Sequence, residues 1–117
     1  MKVMIIEQEK TIQRSLNHFM ERVNGCEVFL ACSGKEGASL CRSNSFDIVL
    51  CGDRLPDGNG LDILKELMKQ NPKLISILMT VRGDEVLKQE AMRAGIRGYL
   101  EKPFDLKQLE DAIGISH

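Results

Sequence analysis

The sequence has no tryptophan, one tyrosine and four phenylalanines, so it lacks the aromatic surface on which nucleic-acid bases stack. A basic excess is also missing. Sixteen Lys and Arg stand against 17 Asp and Glu, a net charge of −1, where a domain that grips phosphates carries surplus cations. Binding of nucleic acid by this chain alone is therefore not expected. The four cysteines (Cys26, Cys32, Cys41 and Cys51) include no C-x-x-C pair and no histidine at ligand spacing, which leaves a zinc site unsupported. Cys32 and Cys51 lie in or beside apolar runs and are expected to pack as small hydrophobes. No apolar run approaches the ~20 residues that a membrane span requires. The first run, Val3–Ile6, stops at Glu7, too early for a secretory signal, and the chain is expected to be cytoplasmic, reduced and soluble. No Ser-His-Asp set has credible spacing, and no glycine-rich dinucleotide fingerprint follows the first apolar run. Ser33-Gly34-Lys35 has Phe29 where a phosphate loop needs glycine.

What is present fits one soluble domain. The 117 residues are 43% hydrophobic and 28% charged, and a chain of this size buries roughly two-thirds of its unfolded surface, enough for one core. Five apolar runs recur, at Val3–Ile6, Val28–Ala31, Ile48–Cys51, Leu74–Met79 and Gly98–Leu100. The middle runs are nearly continuous, as in parallel strands buried on both faces. Helical spacing separates them: Ile12, Leu16, Phe19, Met20 and Val23; then a segment opened by Ser33-x-x-Glu36; then Leu61, Leu64 and Met68; then Leu87, Ala91 and Ala94 with Gly95 as C-terminal cap. Asp105-x-x-Gln108 opens the last, which carries Leu106, Leu109 and Ile113.

A fivefold strand–helix alternation calls for right-handed crossovers and a parallel sheet with helices on both faces. Ligands of such sheets sit at the carboxyl ends of the strands. Those ends carry Glu7-Gln8, Gly52-Asp53, Thr80 and Lys102-Pro103. Carboxylates, a hydroxyl and a lysine are thus expected on one rim.

Asp47-Ile48-Val49-Leu50, Pro56, Gly60-Leu61, Met79-Thr80, Ala94-Gly95 and Tyr99-Leu100-x-Lys102-Pro103-Phe104 resemble, in order and spacing, the receiver domains of two-component response regulators. The resemblance runs from Val3 to Ile113. It implies a flavodoxin-like (βα)5 sandwich with a five-stranded parallel sheet of order 2-1-3-4-5, and a cis peptide at Lys102-Pro103. It also implies phosphoryl transfer from a sensor kinase to an aspartate ending the third strand, with Mg²⁺ held by two acids after the first. A threonine and a lysine contact the phosphoryl oxygens, and an aromatic in the fifth strand moves with the threonine. Phosphoryl transfer needs mainly positioning and charge stabilisation, which such a set supplies.

Carried across, the resemblance places the switch and phosphoryl contacts on Thr80, Tyr99 and Lys102 and the acidic pair on Glu7 and Gln8, of which only Glu7 is charged. The acceptor position, five residues after Asp47 and four before Pro56, is Gly52. Asp53 is the alternative acceptor, but a one-residue shift along a strand turns a side chain to the other face, so it is expected to point away from the pocket. Val81 narrows access, and Arg54 and Arg82 line the mouth. A direct Glu7–Lys102 ion pair is expected in the metal's place, while Asp57-Gly58 and Asn59-Gly60 are read as turn chemistry.

The chain is thus expected to be a degenerate receiver: a single domain over residues 1–117, standing alone or forming the front of a longer regulator. It is read as an interaction and dimerisation module, not an enzyme, with a sensor kinase or an output domain as partner. The face from Asp84 to Ile113 is its expected homodimer surface, with Lys88, Arg93, Arg97, Glu101, Asp105, Glu110 and Asp111 available for cross-subunit pairs. No cofactor is expected. Under the alternative, a functional acceptor, Mg²⁺ would be held by Glu7 and Asp53 with Glu9. A third reading, small-ligand binding at the rim, follows from the fold rule alone.

Overall fold

A computed structural model describes residues 1–23, 25–81 and 84–114. The element order is β1 (Lys2–Ile6), α1 (Lys10–Glu21), β2 (Glu27–Ala31), α2 (Gly34–Ser43), β3 (Ile48–Gly52), β4 (Arg54–Leu55), β5 (Gly58–Asn59), α3 (Gly60–Gln70), β6 (Ile75–Thr80), α4 (Glu85–Ala94), β7 (Gly98–Glu101) and α5 (Leu106–Ile113). The main sheet is parallel, in the order β2-β1-β3-β6-β7. Setting aside the short β4–β5 pair, this is the flavodoxin-like order 2-1-3-4-5. All five apolar runs became strands, because runs buried on both faces satisfy their backbone groups only within a sheet.

The period of two along each strand sorts the core into two layers. Met4, Ile6, Val49, Cys51 and Leu78 pack on one face with Leu61, Leu64 and Leu67 of α3 and Ala91 of α4. Val3, Ile5, Leu50, Ile77, Met79 and Leu100 pack on the other with Leu16 and Met20 of α1 and Leu109 and Ile113 of α5. This division decides where each functional side chain goes at the rim.

The caps follow the sequence signals closely. Ser33 Oγ accepts from the Glu36 N–H, and Asp105 and Gln108 form a reciprocal capping box. Gly95 takes the left-handed conformation (φ 95°) that ends α4. The peptide Lys102-Pro103 is cis. Val23 falls beyond the end of α1.

The segment after β3 was not foreseen as a strand pair. Arg54–Leu55 and Gly58–Asn59 form a two-residue antiparallel hairpin. Pro56 and Asp57 make its turn, and Asn59 caps α3 by accepting from the Asp62 N–H. Asp57 does more than turn the chain. Its Oδ1 and Oδ2 accept the N–H groups of Gly34 (2.9 Å) and Lys35 (2.8 Å), capping α2 from across the molecule. Gly60 is required by close approach: a Cβ there would lie 2.0 Å from the Gly52 carbonyl oxygen. That contact presses the start of α3 against the end of β3.

Candidate functional site

The carboxyl ends of β1, β3, β6 and β7 form the rim, and a cleft of about 180 Å³ there is lined by Gln8, Glu9, Asp53, Arg54, Thr80 and Lys102, among others. Strand alternation divides its polar groups. Glu7, Gly52 and Lys102 continue the α1/α5 side, on the rows of Ile5, Leu50 and Leu100. Asp53 and Thr80 continue the opposite side, on the rows of Cys51 and Leu78.

On the first side, Glu7 is 1% exposed. Lys102 Nζ donates to Glu7 Oε1 at 2.7 Å and lies 3.6 Å from Glu9 Oε1. Glu7 Oε2 accepts the Glu9 N–H at 2.9 Å, so both carboxylate oxygens are engaged. This is the ion pair expected from the sequence. Gly52 lies against it, and a methyl group at position 52 would sit 2.9 Å from Glu7 Oε1 and 3.4 Å from its Cδ. The Glu7 carboxylate thus fills the volume that a side chain at 52 would need.

On the second side stands a correction. Asp53 lies on the row opposite that of Gly52, as alternation requires, but it does not leave the pocket: it lines the same cleft as Lys102. It is 5% exposed, and its Oδ2 accepts the Thr80 hydroxyl at 2.5 Å. The reason is backbone pairing. The Asp53 N–H donates to the Met79 carbonyl and its own carbonyl accepts from Gly60 N–H, both at 2.8 Å, so the residue extends the β3–β6 ladder inward before the hairpin departs. Tyr99, half-buried and in register with Leu78, points its hydroxyl at the Asp84 carbonyl at 3.5 Å. Thr80, Tyr99 and Asp53 are therefore brought to one side, and Glu7, Gly52 and Lys102 to the other.

The remaining candidates fall around these two sets. Gln8 donates Nε2 to the Arg54 carbonyl at 3.1 Å. Arg54 is exposed on β4, and Val81 is 63% exposed at the mouth of the cleft. Arg82 lies outside the described residues. Of the expected dimer surface, Lys88, Arg93, Arg97, Glu101, Asp105 and Asp111 are exposed and Glu110 is half-buried, with Val86, Met92 and Leu106 exposed among them.

Gln13 was not singled out in the sequence, and Cys32 takes a role other than the one expected. Gln13 is buried on α1 in the row of Leu16 and Met20, and its Nε2 donates to the carbonyls of Glu7 (3.2 Å) and Ala31 (3.3 Å). A polar residue on a core row of an amphipathic helix was the signal for it. Cys32, expected to pack as a hydrophobe, instead receives the Lys10 ammonium at 3.0 Å and Gln13 Nε2 at 3.7 Å. It sits just past the end of β2, where α1 overhangs it. The Lys10 hydrogen bond, then that from Gln13, hold its thiol below the ordinary value. Burial pushes Cys51 far the other way.

Much of the carboxylate oxygen at this rim is already engaged within the chain. Mg²⁺ asks for oxygen ligands in near-octahedral geometry, usually with one or two free carboxylates. Both oxygens of Glu7 accept, from Lys102 and from a backbone N–H, Oδ2 of Asp53 accepts from Thr80, and position 52 offers no side-chain oxygen. Among the described residues, no three His, Cys, Asp or Glu side chains are grouped to hold a metal.

The comparisons agree with this geometry at the level of family. The family model of the response regulator receiver domain matches residues 3–114. The chain belongs to the response regulator receiver family. This receiver is 33% identical over 115 residues to the transcriptional regulatory protein CrdR of Helicobacter pylori, an alignment that takes in 96% of this chain and 53% of that protein. Its 27% identity to sporulation initiation phosphotransferase F of Bacillus subtilis extends over 96% of this chain and 90% of that one. A receiver domain protein from Clostridium thermocellum superposes with a TM-score of 0.85 at 34% identity, covering 97% of this chain and 90% of that chain. The chain spans about half the length of the first curated relatives it matches, 53% and 48%. Among the described residues, no helix is long and apolar enough to cross a membrane.

Proposed function

We propose that this receiver is of degenerate type and serves two-component signalling as a protein-interaction and dimerisation module without aspartyl phosphorylation. One observation carries the reading. The position that ends β3 is Gly52, and the space beside it is filled by the Glu7 carboxylate already paired with Lys102. A phosphoryl group would need the lysine that Glu7 holds, and an acceptor oxygen that glycine lacks. The module works without Mg²⁺ or another cofactor and is not an enzyme. Its partners are proteins, a sensor kinase or an output domain, and a second copy through the face from Asp84 to Ile113. Exposed ion pairs on that face are individually weak, so they set register more than affinity, and Val86, Met92 and Leu106 supply the apolar contact. The domain acts in the cytoplasm, alone or as the front of a longer regulator. With no cationic excess it leaves nucleic acid to other domains.

The second reading, phosphorylation of Asp53, is favoured by one observation: the carboxylate lies on the rim against Thr80. Intact mass after incubation with acetyl phosphate, with and without Mg²⁺, separates the two. The expected result is no mass gain in folded protein. A Mg²⁺-dependent gain of one phosphoryl group, lost in Asp53→Asn, would overturn the degenerate reading.

A further inference from the structure

A switch that no phosphate throws must rest in some state, and the rim shows what holds it. Asp53 is the meeting point of three elements. Its N–H joins the end of β6 through Met79, its carbonyl receives the first residue of α3 at Gly60, and its carboxylate takes the Thr80 hydroxyl. Thr80 is the last residue of β6 and is 1% exposed. Its carbonyl in turn receives the Lys102 N–H at 2.7 Å, tying it to the end of β7. Four residues on, Asp84 caps α4 by accepting the N–H groups of Val86 and Leu87, and the Asp84 carbonyl faces the Tyr99 hydroxyl. The start of α4 therefore meets the Tyr99 side chain of β7, and the end of β7 is in turn tied to Thr80.

We infer that Asp53 is a positioning residue. Its carboxylate is a built-in ligand for Thr80, standing where a ligand-borne oxygen would otherwise be needed, and it holds the end of β6 in a single arrangement. The inference rests on the reading of the rim as an unphosphorylated receiver site and names how that site is regulated: by the chain itself. A buried hydroxyl without its acceptor pays the desolvation cost of an unmade hydrogen bond, and hydrogen bonds to charged groups are the stronger kind. Removing the carboxylate therefore takes away the acceptor of the Thr80 hydroxyl and loosens the end of β6, and through β7 and Tyr99 the start of α4. Strand β1 and helices α1 and α2 touch none of these groups in the bonds described and provide the internal control. Any partner that docks on the α4 face meets one conformation and not an equilibrium of two, since an equilibrium is shifted only by differential affinity for its states.

The test is amide hydrogen exchange read by mass spectrometry on the full chain, comparing wild type with Asp53→Ala, Asp53→Asn, Thr80→Val, Thr80→Ser and the Asp53→Ala/Thr80→Val double variant. Exchange over residues 84–94 is expected to rise about tenfold or more in Asp53→Ala and in Thr80→Val, with α1 and α2 changed by less than about threefold. Asn keeps an acceptor and Ser keeps the hydroxyl, so both conservative variants should retain most of the protection. The effects of the singles should fall well short of multiplying in the double variant, as for two members of one hydrogen bond. Equal loosening of every helix, a silent Thr80→Val, or multiplied effects in the double variant would overturn the inference. Should either severe variant fail to fold, the conservative pair decides: loss of α4 protection in both Asp53→Asn and Thr80→Ser also overturns it. The acetyl phosphate experiment reports separately on the reading beneath. Phosphorylated Asp53 together with Thr80-dependent protection of α4 would remove that reading and still support the clamp.

Discussion

Gly52→Ala tests whether the Glu7 carboxylate occupies the space that a side chain at position 52 would need. Gly52 is not among the glycines with positive φ, so its backbone suits any residue, and the substitution alone should stabilise by about 0.4–1 kcal/mol through the unfolded chain. Against this stands the 2.9 Å approach of the new methyl to Glu7 Oε1. A glutamate tip usually moves cheaply, but this one is pinned by Lys102 at 2.7 Å and by the Glu9 N–H at 2.9 Å. Moving it bends two charge-assisted bonds, and overpacking of this kind costs about 1–3 kcal/mol. The net expectation is destabilisation by roughly 0.5–2 kcal/mol. In a Glu7→Asp background the acid is one methylene shorter and the clash is gone, so the same Gly52→Ala change should become neutral or stabilising. Urea unfolding of the four proteins in the cycle, compared through midpoints at constant m, gives a coupling of about 1–2 kcal/mol. A coupling below about 0.5 kcal/mol would refute the reasoning, because the two positions would then not share a space. The same geometry revises a tempting repair. Restoring acids at 52 and 8 would set a new carboxylate against Glu7, so the shorter acid at 7 must come with them.

Asp57 offers a pH test. The backbone N–H groups of Gly34 and Lys35 hold its carboxyl below the ordinary value of 3.8, so the stability it contributes is fully present above that value and is lost as pH falls through the depressed folded value. Urea midpoints from about pH 6 down to about pH 2 should fall more steeply for wild type than for Asp57→Asn; parallel acid limbs would refute the cap. Cysteine reactivity offers another, since the Lys10 and Gln13 hydrogen bonds lower the Cys32 thiol while burial raises Cys26, Cys41 and Cys51. Iodoacetamide at neutral pH, followed by peptide mapping, should label Cys32 first and Cys51 last, and Lys10→Met should slow Cys32 about threefold or more; earlier labelling of Cys26 or Cys41 would argue against the Lys10 contact.

Strand positions, helix caps and the Glu7–Lys102 pair were legible because each rests on something a single segment carries. Val3–Ile6 and Ile48–Cys51 announce themselves by unbroken apolarity, and Asp105-x-x-Gln108 by a spacing that closes its own hydrogen bonds. The ion pair followed from two strand ends that the topology must bring to one rim. What stayed hidden joins segments that no period relates. Asp57 reaches Gly34 across 23 residues, and Lys10 reaches Cys32 across 22; both contacts depend on how loops abut after the sheet has formed. Gln13 was within reach, since 13, 16 and 20 share one helix face.

Asp53 shows why alternation alone could not decide the site. The rule correctly sends residues 52 and 53 to opposite sides of the sheet, the first to the row of Leu50 and the second to that of Cys51. But the rule says nothing about what waits on the other side. There the last residue of β6 presents a buried hydroxyl, and the Met79 and Gly60 hydrogen bonds hold Asp53 in reach of it. A single-residue displacement of the carboxylate therefore has two consequences at once. On the proposed degenerate reading it empties the acceptor position, beside which the Glu7 carboxylate lies, and it supplies Thr80 with a partner. If both follow from one displacement, Gly52→Asp with Asp53→Gly should undo both together, provided Glu7→Asp makes room. Lys102 would regain a partner from β3, and protection of α4 would fall toward that of Asp53→Ala. Retained α4 protection in that triple variant would mean that the start of α4 is held by something other than Asp53.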